Sequence, residues 1–123
     1  MPKTVLVADD EPSILLSLRF LLQKAGYTVL TATNGGEALA ALEQARPDLI
    51  LLDVMMPERD GFDVCQSLRG DPSYRDVPII MLTAKGRDID RQKGMAMGAT
   101  DYVSKPFSTR ELMDTVRRYL PQP

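Results

Sequence analysis

The sequence predicts an α/β domain in which five parallel strands alternate with five helices, and the helices cover both faces of one sheet. Short apolar runs and helical repeats of apolar residues alternate five times along the chain. The run at residues 49–52 has no polar alternation, which is typical of a strand buried on both faces of a parallel sheet. Strands joined in this way have right-handed crossover connections. The predicted architecture is therefore (βα)5.

The predicted strands are four short apolar runs, at residues 4–8, 27–32, 49–52 and 77–82, and a short fifth segment at residues 100–104. The first two of the helices between them have clear boundary signals. Pro12 suits the first turn of the first helix, where its missing N–H costs nothing, and Gly26 ends that helix. Asn34, with Glu37 three residues later, is the predicted N-cap of the second helix, which ends before Pro47.

The other three helices have boundary signals of unequal strength. The third helix runs through residues 62–68, and a polar loop at residues 73–76 follows it. The fourth, at about residues 87–97, is expected to be the least stable, because Gly94 in its interior costs up to about 1 kcal/mol relative to Ala. The fifth opens with a capping box at residues 108–111. Its predicted buried positions are Leu112, Val116 and Leu120.

Composition narrows the class of protein. A chain of 123 residues corresponds to one domain, and 44% hydrophobic and 26% charged residues are ordinary for a soluble globular protein. The net charge of −2 gives no case for direct binding to nucleic acid or to a membrane. The single cysteine, Cys65, excludes an internal disulfide and indicates a reducing compartment, the cytoplasm. The absence of histidine excludes a phosphohistidine carrier, a histidine base and a histidine metal ligand.

Polar residues stand at the ends of four predicted strands. Residues 9–11 (Asp-Asp-Glu) follow the first strand, Asp53 the third, Thr83 the fourth and Lys105 the fifth. Each of them alone is more often a cap, a turn residue or a solvated side chain. The carboxyl ends of parallel strands lie on the same edge of a sheet, and ligands bind just beyond it. Their joint occurrence therefore predicts one shared site.

The residue types at this edge favour phosphoryl chemistry. Carboxylates a few ångströms apart repel one another unless a cation lies between them, and an all-oxygen ligand set favours a hard cation, Mg²⁺ first, with Mn²⁺ as a substitute. Lys105 offers a positive charge for a phosphoryl group, and Thr83 offers a hydroxyl donor. An ionised Asp53 needs no separate base to act as a nucleophile. The pattern thus predicts phosphorylation of Asp53 itself.

Four segments together resemble the receiver domains of two-component response regulators: Asp9-Asp10-Glu11, residues 51–57 with Gly61, residues 81–84 and residues 101–107. The resemblance covers about residues 4–120 in the right order and spacing, and it is greatest to receivers of winged-helix DNA-binding regulators. It implies a flavodoxin-like fold with strand order 2-1-3-4-5. We expect residues 1–123 to form one receiver domain with no effector domain, either as a stand-alone regulator or as a receiver cut from a longer chain.

The resemblance assigns a role to each acid. Asp53 would accept a phosphoryl group from a sensor histidine kinase or a phosphotransfer protein. Asp10, Asp53 and the backbone carbonyl of Met55 would bind Mg²⁺ directly, and Asp9 would bind it through water. The domain would be a signalling phosphoacceptor of a bacterial two-component system rather than an enzyme, because it would catalyse only its own phosphotransfer and dephosphorylation.

The resemblance also implies a switch. Lys105, with a cis bond to Pro106, would pair with the phosphoryl group, and Thr83 would move to hydrogen-bond it. Tyr102 would turn inward behind Thr83. The face made by the fourth helix, fifth strand and fifth helix would then change and control a partner or an effector domain.

Residues on this face match an interface pattern in part. Arg91 and Glu111 match the intersubunit pair of receivers that dimerise through it, and Asp101 and Arg118 are further interface candidates. Thr115 departs from the pattern, since an arginine that pairs with Asp101 is expected there. A homodimer that forms on phosphorylation is therefore a hypothesis.

Three other classes of function were weighed. A phosphatase of the haloacid dehalogenase type needs a second acid two residues after its nucleophile, and that position is Met55. A nucleotide-binding module needs a glycine-rich loop after the first strand, whereas residues 9–12 are acidic. The alternative that remains is a receiver-like docking scaffold that is never phosphorylated.

Overall fold

One parallel sheet forms the centre of the molecule. The computed structural model describes residues 2–84 and 88–121, and the five strands found there are β1 (Thr4–Ala8), β2 (Thr28–Ala32), β3 (Leu49–Asp53), β4 (Ile79–Ala84) and β5 (Asp101–Lys105). Their order is β2-β1-β3-β4-β5, and each neighbouring pair is parallel. The predicted (βα)5 fold and its strand order are confirmed.

Five α-helices lie between and after the strands in the same described residues: α1 (Pro12–Lys24), α2 (Gly35–Gln44), α3 (Gly61–Arg69), α4 (Asp88–Ala96) and α5 (Thr109–Tyr119). One core packs α1 and α5 on the sheet, for example through Leu18 and Leu112, and the other packs α2 and α3, through Ala38 and Val64. The four apolar residues of β3 are fully buried between the two cores. No helix in the described ranges has the length and apolar character that a membrane span requires.

The helix caps follow the predicted signals with one difference. Gly26 adopts a left-handed φ of 99° two residues after α1 ends, which few residues other than glycine accept at low cost. Asn34 Oδ1 accepts a hydrogen bond from the N–H of Glu37 at 2.8 Å, and Ser108 caps α5 in the same way. The carboxylate of Glu37 does not complete a capping box with Asn34. It accepts hydrogen bonds from the N–H and the hydroxyl of Thr33, both at 2.7 Å.

The boundaries of the fourth strand differ from the prediction. It begins at Ile79 rather than at residue 77, because Pro78 has no N–H to donate to a sheet ladder. It continues through Thr83 and Ala84, because both residues pair with β5. Thr83 therefore lies inside the end of β4 rather than after it.

The predicted polar loop after the third helix and the predicted weak fourth helix can both be compared with the structure. The segment predicted as a polar loop contains a turn of 3₁₀ helix, Pro72–Tyr74, capped by the side chain of Asp71. In α4, Gly94 is buried, and a Cβ there would lie 3.3 Å from Cγ of Met81 and 3.8 Å from a ring carbon of Phe62. The small residue thus lets α4 approach the sheet closely. The predicted start of this helix, Arg87, lies outside the described residues.

Candidate functional site

The carboxyl edge of the sheet brings the predicted site residues together from four strands. Asp53 ends β3, Asp9 and Asp10 follow β1, Lys105 ends β5 and Thr83 lies near the end of β4. Asp53 is 5% exposed and Thr83 is 2% exposed, so both side chains point into the protein rather than into solvent. Their burial argues against solvated caps and favours a formed site.

Three acids at this edge lie close enough to share one cation. In the part of the chain that the structure describes, one carboxylate oxygen from each of Asp9, Asp10 and Asp53 lies within 4.8 Å of the others. Asp9 is fully buried, while Asp10 is exposed. Asp9 is held by two contacts: its N–H donates to the carbonyl of Ala32 at 3.0 Å, and its Oδ1 accepts from the N–H of Glu11 at 2.9 Å.

Lys105 is the counterion of these acids. Its Nζ lies 2.8 Å from Oδ2 of Asp9, 3.4 Å from Oδ2 of Asp53 and 3.4 Å from Oε1 of Glu11. Burial alone would lower the pKa of Lys105. The close ion contact with Asp9 and the negative charges of Asp53, Asp9 and Glu11 outweigh burial, so the pKa lies above its ordinary value. Lys105 therefore stays protonated at neutral pH, and its bond to Pro106 is cis, as expected.

The pKa of Asp53 is raised from its ordinary value of 3.8 to about 7. Burial is the main cause, and the negative charge of Asp9 adds to it. The charge of Lys105 and the hydrogen bond from the N–H of Met55 to Oδ1 of Asp53, at 3.3 Å, act in the opposite direction without cancelling the rise. In the absence of a further cation, the site carries more negative charge than Lys105 can balance.

The donor set fits a hard divalent cation. Asp9 Oδ2 is buried, and among the described residues it has no well-aligned hydrogen bond, only the ion contact to Lys105. Asp10 and Asp53 border a cleft of about 250 Å³, whose wall also includes Glu11, Met55 and Lys105. Carboxylate oxygens beside an open cleft leave room for the waters and phosphoryl oxygens that Mg²⁺ retains. The acidic group could thus bind a metal.

Thr83 and Tyr102 occupy different environments. Thr83 is buried in β4 beside Ser104 of β5, and it lies on the strand next to the one that ends in Asp53. Tyr102 is half-buried on β5, and the guanidinium of Arg91 lies 4.7 Å from the centre of its ring. The structure thus places Tyr102 beneath a side chain of α4.

The interface candidates lie on the α4, β5 and α5 face, and some of them pair with one another. Asp101 Oδ2 accepts a hydrogen bond from the hydroxyl of Tyr119 at 2.8 Å and lies 3.3 Å from a guanidinium nitrogen of Arg118. Glu111 is exposed, and its carbonyl accepts a hydrogen bond from the buried Thr115 at 3.0 Å. Asp101 and Arg118 therefore have each other as partners within one chain.

The sequence pattern does not indicate why position 61 requires glycine. A Cβ at this position would overlap the carbonyl oxygen of Asp53 and lie 3.0 Å from Cα of Val54. The N–H of Gly61 donates to the carbonyl of Val54 at 2.9 Å. The start of α3 therefore rests directly on the backbone of the predicted phosphoacceptor.

Sequence analysis also missed Arg69, which links three segments at the opposite edge of the sheet. Its guanidinium donates to the carbonyls of Gly98, Tyr74 and Val77 at 2.7 to 2.8 Å and to the hydroxyl of Thr100 at 3.1 Å. An arginine in the last turn of a helix is commonly explained by its favourable interaction with the helix dipole. The place of Arg69 in the sequence therefore does not indicate these longer-range contacts.

The fold and the site define an α/β protein with a group of acids that could bind a metal ion at the carboxyl edge of a parallel sheet. The chain belongs to the response regulator receiver domain family, whose sequence pattern matches residues 5–117. The predicted family is thereby confirmed. The chain is a receiver domain of the kind used in two-component signalling.

Individual relatives agree with this assignment. The alkaline phosphatase synthesis transcriptional regulatory protein PhoP of Bacillus subtilis is 48% identical over 120 residues, which cover 98% of this chain and 49% of that protein. The chain thus spans about half the length of this relative. The chemotaxis protein CheY4 of Vibrio cholerae is 41% identical, with a TM-score of 0.92 over 98% of this chain and 100% of the other.

One solved relative contains a metal. The receiver domain of the sensor histidine kinase PA1611 from Pseudomonas aeruginosa is 31% identical, with a TM-score of 0.90 over 99% of this chain and 100% of the other. It holds a magnesium ion in its active site cleft.

Proposed function

We propose that this domain accepts a phosphoryl group on Asp53, with Mg²⁺ bound by the neighbouring acids, and relays a signal through the α4, β5 and α5 face. The observation that carries the proposal is the cluster of Asp9, Asp10 and Asp53, two of which, Asp9 and Asp53, contact the protonated Lys105. A buried nucleophile, a group of cation ligands and a fixed positive charge are what phosphoryl transfer to a carboxylate requires. The donor would be a histidine kinase or a phosphotransfer protein of a bacterial cytoplasm.

The residues of the chain have distinct parts in the transfer. An oxygen of the ionised Asp53 forms the new P–O bond, while the P–N bond of the phosphohistidine donor breaks and the imidazole leaves with the electron pair. Asp10, Asp53 and the carbonyl of Met55 would hold Mg²⁺, and Asp9 would act through water. The bound ion supplies positive charge to the phosphoryl oxygens. Lys105 lies 3.4 Å from Oδ2 of Asp53, close enough to reach a phosphoryl oxygen there.

The switch would begin at Thr83. Phosphorylation adds a charge of about −1.5 to −2 and three acceptor oxygens at the end of β3. Thr83 lies on the adjacent strand and supplies a hydroxyl that can follow these oxygens. An inward turn of Tyr102 would move its ring relative to the guanidinium of Arg91, which lies 4.7 Å from the ring centre. The change at Asp53 would therefore reach α4 through a cation–π contact.

Dimerisation on phosphorylation is the second half of this proposal. Arg91 and Glu111 would pair between subunits, with Asp101 and Arg118 nearby. The contact of Arg118 with Asp101 within one chain would have to open or be shared, because Asp101 Oδ2 already has two donors. Sedimentation with and without beryllofluoride, a phosphoryl mimic, tests this step, and a monomer in both conditions at high concentration rules it out.

Incubation with a small phosphodonor and Mg²⁺, followed by intact mass measurement, tests the function. We expect the mass of one phosphoryl group on the wild type and none on Asp53→Ala. Asp114→Ala is the matched control, because Asp114 is an exposed acid on α5, whose contact with Arg110 is a loose 3.9 Å pair. Phosphoryl addition that survives Asp53→Ala overturns the proposal, because another residue would then be the acceptor. No addition on the wild type also overturns it and favours the docking scaffold.

A further inference from the structure

The loop that leaves the phosphoacceptor is fixed at both of its ends. Residues 54–60, called the β3–α3 loop, connect Asp53 to α3. At one end the N–H of Met55 donates to Asp53, and at the other the N–H of Gly61 donates back to the carbonyl of Val54. The loop therefore determines where the backbone of Met55 lies relative to the carboxylate of Asp53.

The outer bend of this loop rests on the first turn of α2. Gly35 is buried, and a Cβ there would overlap the carbonyl oxygen of Arg59 and lie 2.7 Å from its carbonyl carbon and its Cβ. These are backbone atoms for the most part, so no rotamer change can relieve the overlap. A larger residue at position 35 must move either the loop or the helix.

The helix is the firmer of the two partners. Asn34 caps it, and Glu37 binds the N–H and the hydroxyl of Thr33 just before it. The preceding residue, Ala32, ends β2 and accepts the N–H of Asp9. The start of α2 is thus tied to the sheet beside the acidic group, and the loop is the part that must move.

The loop also contains a strained backbone conformation that contacts with α2 help to stabilise. Glu58 has a left-handed φ of 68°, which costs a residue with a Cβ roughly 1–2 kcal/mol. Its Oε2 lies over the first turn of α2, 3.4 Å from where a Cβ on Gly36 would be. Negative charge is favourable at the N-terminal end of a helix. Contacts with α2 therefore support a bend that the loop would not adopt at no cost by itself.

From these contacts we propose that Gly35 is a positioning residue for the phosphorylation site. It lets the β3–α3 loop lie against α2 at the distance that places the Met55 backbone beside Asp53. The inference rests on the proposed function, because Met55 matters only if its carbonyl and Asp53 hold the same cation.

The test compares Gly35→Ala with Gly36→Ala. Both substitutions make the same chemical change in the same helical turn, but a Cβ at Gly36 meets only side-chain atoms, at 3.3 Å in Asn34 and 3.4 Å in Glu58. Magnesium affinity is measured from the increase in unfolding free energy as Mg²⁺ is added. Hydrogen exchange of residues 54–60 in EDTA is the second readout, and it needs no metal. The rate of phosphoryl incorporation at saturating Mg²⁺ is the third.

We expect Gly35→Ala to bind Mg²⁺ roughly 10- to 100-fold more weakly than Gly36→Ala, as is usual when a residue that supports metal ligands is changed. We also expect faster exchange in the loop. Equal affinity in the two variants overturns the inference while leaving the proposed function intact. A wild type that neither binds Mg²⁺ nor accepts a phosphoryl group refutes the proposed function itself.

Glu58→Gly decides the question if Gly35→Ala does not fold. Glycine accepts the left-handed conformation at position 58, so this variant is expected to fold. It loses the carboxylate over α2 and gains backbone freedom in the loop. We expect a severalfold weaker affinity for Mg²⁺ and faster exchange at residues 54–60. Wild-type affinity in Glu58→Gly would show that the seating of the loop on α2 does not affect the site.

Discussion

Replacing Asp53 by Asn is expected to stabilise the metal-free protein at alkaline pH, although it removes the residue on which the proposed function depends. Burial and the charge of Asp9 raise the pKa of Asp53 to about 7, from an ordinary value of 3.8. Between about pH 4 and pH 7 the native state keeps a proton that the unfolded chain has lost, so the free energy of unfolding falls as pH rises. Above pH 7 the fall is complete and levels off.

The size of the effect follows from the same values. The gap between 3.8 and about 7 corresponds to a cost of about 4 kcal/mol for ionising Asp53 in the folded protein. This cost already includes the attraction of Lys105. An Asn at position 53 cannot ionise and resembles the protonated acid in shape. The stabilisation at about pH 8 is therefore expected to approach, but not to exceed, about 4 kcal/mol.

Urea unfolding in EDTA measures this effect. The two proteins should already differ by about 1 kcal/mol near pH 4.5, where most unfolded chains have lost the proton, and diverge further as the pH rises to about 8, with Asp53→Asn the more stable. Magnesium at about a hundred times its Kd should then return roughly 2.7 kcal/mol to the wild type and much less to the variant. Asp114→Asn, a change of an exposed acid, should show no such divergence. An Asp53→Asn variant that is less stable than the wild type at pH 8 refutes the reasoning.

Three further substitutions test the packing around the site. Gly61→Ala places a Cβ against the carbonyl oxygen of Asp53, so it should lower the free energy of unfolding in urea by about 1–3 kcal/mol and slow phosphoryl incorporation. Wild-type stability and rate would show that this close contact does not constrain the site. Arg69→Met leaves several carbonyls without a donor and should lower the free energy of unfolding by about 3 kcal/mol. The Kd for Mg²⁺ should stay unchanged, since Arg69 lies at the opposite edge of the sheet, and a higher Kd would show coupling between the two edges. Gly94→Ala should raise the thermal midpoint, because it recovers up to about 1 kcal/mol of helix propensity and its Cβ, 3.3 Å from Cγ of the buried Met81 and 3.8 Å from a ring carbon of Phe62, requires Met81 to move by only a few tenths of an ångström. A lower midpoint would show that Met81 cannot make room.

The acidic site could be predicted from sequence because it depends on strand ends. Asp53 and Lys105 each directly follow an apolar run, and parallel strands carry such residues to one edge whatever their distance along the chain. The charges then restrict the chemistry. Thr83 was predicted at the right edge, although pairing with β5 keeps it inside the strand.

The contacts that hold the site in shape could not be predicted, because they join segments with no shared pattern. Gly35 lies against the backbone of Arg59, and the guanidinium of Arg69 donates to the backbone carbonyl of Gly98, so in both contacts the partner atoms are ones that any residue possesses. The pairing of Arg91 with Tyr102 depends on how α4 crosses β5, which helical periodicity does not determine. Local signals identify which residues face one another only when sheet register fixes their positions.

The ammonium of Lys105 gives the cleft a cation of its own, attached to the chain. It lies within 3.4 Å of carboxylate oxygens of Asp9, Glu11 and Asp53. A divalent ion that binds these oxygens would share them with a positive charge that is covalently attached to the chain. Such competition limits how tightly the metal is retained, and it leaves a positive charge in place whenever the metal departs. If the cleft binds a divalent ion, as proposed, Lys105 would offset part of the negative charge that remains after the ion leaves, and the occupancy would follow the concentration of the free ion.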